Sequence, residues 1–143
     1  LGETEKFFME CLNVGEQIFR LILAVFLGMI VGLKREKAHK PAGLRTHMLV
    51  SLGSCLFMIV SLEFSFDPAR IAAGVVTGVG FIGAGTIIAE RDKIVGVTTA
   101  ASLWVTSAIG LSVGAGNYVL ASIASLLALL ILSLRVILRK VYA

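Results

Sequence analysis

Apolar runs of about twenty residues follow one another down nearly the whole chain, separated by short polar links. A helix rises about 1.5 Å per residue and the hydrocarbon core of a bilayer is roughly 30 Å thick, so about twenty apolar residues in succession is the length that crosses it. Five such spans are countable: about Val14 to Leu33, Thr46 to Phe66, Ala69 to Ala89, Ile94 to Val113 and Tyr118 to Leu134. The expected fold class is an all-α integral membrane protein, five transmembrane helices in a compact bundle. The expectation is a single transmembrane domain over residues 1–143, without a soluble C-terminal domain after the last span. Composition agrees, with 57% apolar and 15% charged residues, against about 45 to 50% and about 25% in soluble domains.

The first span is the least apolar. Its uninterrupted part, Leu21 to Leu33, reaches spanning length only by including Glu16 and Arg20, which stand four apart and can pair on one helix face near the interface. Glu3 to Leu12 reads as an amphipathic lead-in on the membrane surface. Being acidic rather than basic, the N-terminus lacks the n-region of a signal peptide. The link "KREKAHKPAGLRTH", Lys34 to His47, holds five of the thirteen Lys and Arg residues. Short loops rich in Lys and Arg stay cytoplasmic, so this link places the N-terminus outside. The C-terminal tail, with Arg135, Arg139 and Lys140, then falls inside. Lys34, Arg35, Lys37 and Lys40 read as a collective orienting charge in which any one is replaceable. The net charge of +4 comes from span flanks rather than from a basic face with aromatics, which excludes nucleic acid as a partner. The lipid bilayer is the partner implied. Cys11 and Cys55 lie at different membrane depths and are expected to be free thiols.

Helical periodicity then marks polar stripes. His47, Ser51, Ser54, Met58 and Ser61 follow steps of 4, 3, 4 and 3 on the second span. Thr99, Ser102, Thr106 and Gly110 form a similar stripe on the fourth, and Tyr118, Ser122 and Ser125 on the fifth. The third span carries Gly74 and Gly78, with Thr77 between them, then Gly80, Gly83 and Gly85. Small and hydroxyl residues let helix backbones approach and bond across the gap. On this reading the glycine-rich third helix is central, gripped by the second, fourth and fifth, and a homo-oligomer is left open.

Two glycine motifs imitate enzyme signatures. "GVGFIG", Gly78 to Gly83, matches the dinucleotide fingerprint but sits in a charge-free apolar run, without the acidic residue about 20 positions on. "GLSVG", Gly110 to Gly114, matches a nucleophile elbow, yet His39 and His47 lie at the opposite end of the spans from Ser112. No catalytic residue and no bound cofactor is expected, and the chain reads as no enzyme. The metal candidates are Glu63 and Asp67, two carboxylates in one link that suit a hydrated Mg²⁺; Asp67 and Pro68 also read as the N-cap and first turn of the third helix. Arg70 follows close behind. Arg45 and His47 stand past the Pro41 to Gly43 turn at the head of the second span. There they are expected to hold a lipid phosphate, a partner's carboxylate or an anion.

The blocks "GLKREKAHKPAGLRTHMLVSLGS", "DPARIAAGVVTGVGFIGAGTII" and "VGVTTAASLWVTSAIGLSVGAG" cover most of Gly32 to Gly116 and resemble the signature blocks of the MgtC/SapB family. The resemblance implies a five-helix bacterial inner-membrane protein linked to growth at low magnesium and, in some members, to virulence. It further implies a regulator that contacts the membrane sector of the F-type ATP synthase, the alternative being a Mg²⁺ or other small-cation transporter. No Asp or Glu lies at the centre of any span, which counts against a magnesium path. The candidates for function or partner contact within these blocks are Arg45, His47, Asp67, Arg70, Thr77, Gly78, Gly80, Gly83, Gly85, Thr99, Ser102 and Thr106.

Overall fold

The computed structural model describes residues 3–63, 67–90 and 93–141, with side chains described over 13–63, 67–89 and 94–134. Five helices follow in order: α1 Glu3–Lys37, α2 Leu44–Glu63, α3 Pro68–Ala84, α4 Val97–Gly114 and α5 Tyr118–Val141. α1 runs unbroken from the acidic lead-in through the basic Lys34–Lys37 turn; its 35 residues make about 52 Å of helix. By length and hydropathy Asn13–Lys37, Leu44–Glu63 and Val97–Gly114 can each cross a membrane, while α3 and the Tyr118–Leu134 part of α5 are apolar but shorter. Phe64 to Phe66, the expected end of the second span, lie outside the described residues, as do the side chains of Cys11, Arg135, Arg139 and Lys140. Cys55 is a buried free thiol.

Local chemistry sets the helix ends. α1 closes on a left-handed residue, His39 at φ 50°. The His39 N–H donates to the Glu36 carbonyl at 2.9 Å and the Lys40 N–H to the Arg35 carbonyl at 3.2 Å, the double bond of a Schellman turn. The Glu36 carboxylate then accepts from the Leu44 N–H at 2.9 Å and caps α2. Asp67 caps α3 by accepting from the Ala69 N–H at 3.0 Å, with Pro68 pre-setting the first turn. α4 ends on a second Schellman turn, with Gly116 left-handed at φ 83° and the Asn117 N–H donating to the Ser112 carbonyl at 2.8 Å.

The fold is all-α apart from a short hairpin between α3 and α4. Ile88–Glu90 and Lys93–Val95 pair antiparallel, with Ile88 opposite Val95. The hairpin replaces the last turn of the expected third span and the first of the fourth. Its apolar residues and flank, Ile87, Ile88, Ile94 and Val95, are β-branched and as hydropathic as the spans they adjoin. Gly96, at φ 96°, turns the hairpin into α4, and a Cβ there would collide with the Thr86 carbonyl oxygen, so the position requires glycine.

The centre of the bundle is α4, which touches all four other helices. α2 is held by two glycine pairs of equal spacing, Gly28 and Gly32 on α1 and Gly110 and Gly114 on α4. A Cβ at Gly28 would stand 2.8 Å from the His47 carbonyl oxygen, at Gly32 2.9 Å from Leu44 Cα, and at Gly114 2.6 Å from the Cys55 carbonyl oxygen. Ala24, Leu27, Val31, Cys55, Ile59, Ile109, Val113 and Ala121 pack as one cluster among α1, α2, α4 and α5. The expected centrality of α3 is therefore corrected. α3 packs on α4 and, less extensively, on α2, burying Val79 and Gly83. At Gly74, Gly78 and Gly80 a Cβ would meet no atom within 4 Å, whereas at Gly83 it would stand 3.2 Å from Ala100 Cβ. Glycine spacing states how closely a neighbour can come, not that one is there.

Candidate functional site

The stripes read on α2 and α4 face each other inside the bundle. His47, Ser51, Ser54, Met58 and Ser61 are buried on α2; Thr99, Ser102, Thr106, Ser107 and Gly110 are buried on α4. On α5, Ser125 is buried and Ser122 exposed. Several hydroxyls bond backbone carbonyls within their own helix: Ser54 to Val50, Ser102 to Thr99 and Thr106 to Ser102, each at 2.8 Å. Two cross between helices, Ser51 to the Ala24 carbonyl at 2.7 Å and Ser125 to the Leu27 carbonyl at 3.3 Å. This part of the interior is satisfied and packs.

Its chemistry concentrates at the two ends of α4. At the N-terminal end His47 is fully buried, with Nδ1 2.8 Å from the Gly43 carbonyl oxygen and Nε2 3.1 Å from Ser102 Oγ. A carbonyl only accepts, so Nδ1 carries a proton; in the neutral ring Nε2 then accepts from the Ser102 hydroxyl. That hydroxyl also reaches the Thr99 carbonyl at 2.8 Å, so it chooses between two acceptors. Beside it Arg35 is only 5% exposed. Its Nη2 donates to Thr99 Oγ1, and its buried Nε has no hydrogen-bond partner. Thr99 lies in the first turn of α4, whose N-cap, Gly96, offers no side-chain hydrogen bond. A helix N-terminus presents unpaired N–H groups and a partial charge of about +0.5. A buried guanidinium thus stands against the first turn of α4, whose opening residues Val97 and Thr98 are exposed and whose Thr99 is buried, with no carboxylate paired to the arginine among the described residues. Burying an ion without a counter-charge costs stability steeply.

The C-terminal end of α4 is the reverse. Arg20 forms an ion pair with Glu16, donates through Nε to the Tyr118 hydroxyl at 3.2 Å, and through Nη1 to the carbonyl of Gly114, the last residue of α4, at 2.7 Å. The Tyr118 hydroxyl donates in turn to Glu16 at 3.2 Å, and its ring meets Phe19 edge to face at 5.5 Å. Here cation, carboxylate and the negative helix pole complement one another. Asn13, Glu16, Gln17, Arg20, Ile59, Leu62 and Glu63 line a pocket of about 210 Å³ alongside.

Of the residues singled out from sequence, the structure gathers His47, Thr99, Ser102 and Thr106 and disperses the rest. Arg45 is exposed, parted from the buried His47 with which it was expected to act. Glu63 accepts from Gln17 Nε2, and Asp67 is engaged in capping α3. Among the described residues no group of three or more His, Cys, Asp or Glu side chains is placed to hold a metal. Arg70, Thr77, Gly78, Gly80 and Gly85 are exposed, with the Thr77 hydroxyl turned back to the Ala73 carbonyl at 2.9 Å; Gly83 alone of these glycines is buried. "GVGFIG" lies within α3 rather than at a strand-to-helix turn. The Ser112 hydroxyl of "GLSVG" bonds the Ala108 carbonyl at 2.9 Å. Sequence reasoning missed Arg35, counted there as one orienting charge among several. A signal existed: the buried face of α1 runs Ala24, Gly28, Val31, Arg35 at helical spacing, so the periodicity of the core continues into the basic turn.

The sequence has counterparts among known proteins. The profile of the MgtC family matches residues 21–141. "Putative magnesium transporter YhiD" of Escherichia coli strain K12 is 51% identical over 128 residues, covering 82% of this chain and 59% of that protein. Protein SrpB of Synechococcus elongatus is 39% identical over 131 residues, covering 80% of the chain and 72% of SrpB. Protein MgtC of Salmonella typhimurium strain LT2 is 42% identical over 102 residues, covering 71% of the chain and 44% of MgtC. The chain thus spans less than two thirds of YhiD and under half of MgtC. No solved structure matches. The matched stretch takes in Arg35, the buried stripes and all of α2 to α4, and the chain belongs to the MgtC family.

Proposed function

We propose that this protein is a non-enzymatic regulator in the bacterial inner membrane, acting by helix contact on another membrane protein when magnesium is scarce. The observation that carries this reading is the charge of the interior. Its buried polar side chains are hydroxyls, one imidazole and one guanidinium, with no carboxylate among the described ones. Proteins hold Mg²⁺ through carboxylates and retained water, and a fixed guanidinium in a low-dielectric interior repels a divalent cation. Contact is supported by the outer side of α3, where Gly74, Thr77, Gly78 and Gly80 are exposed and leave backbone that a foreign helix can approach. The membrane sector of the F-type ATP synthase is the partner we assign, on the family resemblance. In this reading that end of the bundle faces the cytoplasm and the N-terminus the outside, supported by the basic Lys34–Lys40 turn, since short basic loops stay cytoplasmic.

A Mg²⁺ or small-cation transporter is the second reading, favoured by the name that YhiD carries. Two measurements separate them. In liposomes loaded with a magnesium dye, the purified protein is expected to give no influx above protein-free liposomes. In inverted membrane vesicles from a deletion strain, restoring it is expected to slow ATP-driven proton pumping. A dye signal that saturates with external Mg²⁺, with pumping unchanged, would establish transport and remove the regulator.

A further inference from the structure

We propose that Arg35, Thr99 and the first turn of α4 form a binding site for a phosphate group. Three separate observations converge on it. Arg35 is nineteen-twentieths buried yet its Nε has no partner. Its guanidinium is held against the Thr99 hydroxyl and so aimed at the N-terminus of an 18-residue helix that has no side-chain cap. No carboxylate among the described residues pairs with it.

The donors at this place suit an oxyanion, and the acceptor they meet among the described residues is the neutral Thr99 hydroxyl. Thr99 Oγ1 accepts from Arg35, which leaves the hydroxyl proton free to be donated elsewhere. The Arg35 Nε–H is free as well, and the opening amides of α4 add N–H groups whose dipole favours a negative charge. His47 does not compete, because its Nδ1 is committed to Gly43 and its Nε2 faces Ser102. Donors reaching from two helices, one planar fork and one helix end, surround a tetrahedral anion more fully than a planar carboxylate, and Arg is the side chain best matched to phosphate. The site also sits at the end of the bundle that carries Lys34, Lys37 and Lys40, which raise the local concentration of anions. A phosphate there neutralises the guanidinium and the helix pole together and ties α1 to α4. Its source is either a lipid headgroup at the membrane interface or free inorganic phosphate; the chemistry at the protein is the same.

The test uses protein stripped of lipid in a maltoside detergent without phosphate, its unfolding followed through Trp104, the chain's single tryptophan. Sodium phosphate, short-chain phosphatidylglycerol, and sodium chloride at matched ionic strength are titrated separately. A saturable rise in midpoint with phosphatidylglycerol alone identifies a lipid headgroup; a rise with inorganic phosphate identifies the free anion; chloride is expected to do neither. Arg35→Gln is expected to weaken the apparent affinity about tenfold or more, whereas Arg45→Gln, an exposed arginine at the same end, stays within about twofold. Without any anion, Arg35→Gln should melt no lower than the parent, because the uncompensated charge is gone; a purely structural Arg35 would instead melt lower in every buffer. Thr99→Val, which keeps the arginine and removes one donor, should weaken the affinity severalfold. The proposal is overturned if neither phosphate source gives a saturable shift in the parent, or if Arg35→Gln responds as the parent does.

Discussion

α4 has an arginine of α1 at each end, and the two are in opposite electrostatic situations. At the C-terminal end Arg20 meets a carboxylate, a phenol and the last carbonyl of the helix. At the N-terminal end Arg35 meets a hydroxyl, an uncapped helix start and no carboxylate among the described residues. The same side chain on the same helix therefore stabilises one end and strains the other. The charge left unmatched among the described residues is the one for which we propose an outside ligand, while the charge matched by Glu16 needs none.

The largest effect tests the ruler on which the comparison rests. α4 keeps its depth against α2 because Gly110 and Gly114 lie on the backbone of Ser51 and Cys55. A side chain there would drive the helices apart and pull both arginines off the ends of α4. Gly110→Leu is expected to cost about 3 kcal/mol or to prevent accumulation in the membrane. Gly78→Leu, at a position where a Cβ meets no atom within 4 Å, should stay within about 0.5 kcal/mol. Thermal unfolding in detergent, with membrane abundance alongside, measures both. Equal losses would mean that α3 is gripped as tightly as α4, and the hub would have to be redrawn.

Next in size is Arg20→Met. It removes the charge from the C-terminal carbonyl of α4 and leaves Glu16 and Tyr118 without their shared partner, so a loss of about 1 to 2 kcal/mol is expected. Glu16 is half exposed, which keeps the figure below that of a fully buried pair. An Arg20→Met protein that melts like the parent would show the Arg20 contacts to be screened, and the matched end would lose its standing as a reference.

Much of this was legible in the sequence. Five helices follow from the lengths of the apolar runs, the buried stripes of α2 and α4 from steps of three and four, and the Glu16–Arg20 pair from spacing alone. What failed did so for physical reasons. Gly74 and Gly78 have the same spacing as Gly110 and Gly114, and nothing local distinguishes a pair that meets a neighbour from one that does not. Arg35 and Arg45 stand in one basic link, yet the first continues the buried face of α1 while the second turns outward on α2; composition assigns both to the loop, and only the helix phase divides them. The hairpin at Ile88–Val95 was hidden because hydropathy does not distinguish a β-branched strand from the end of a span.

The smallest effect is the most pointed, because it aims to make the two ends of α4 alike. Thr99 is buried in the first turn beside Arg35, and aspartate is close to it in size. Thr99→Asp would place a carboxylate where the guanidinium and the positive helix pole both favour one, as Glu16 already does for Arg20. In phosphate-free detergent the variant is expected to gain about 0.5 to 1 kcal/mol and to lose its response to added phosphate, since the counter-charge is then built in. Thr99→Asn, with nearly the same shape and no charge, separates the two contributions: it should show no gain and retain at least part of the response. If Asp and Asn destabilise equally, the Arg35 charge is already balanced in the parent, and the asymmetry between the ends of α4 does not exist.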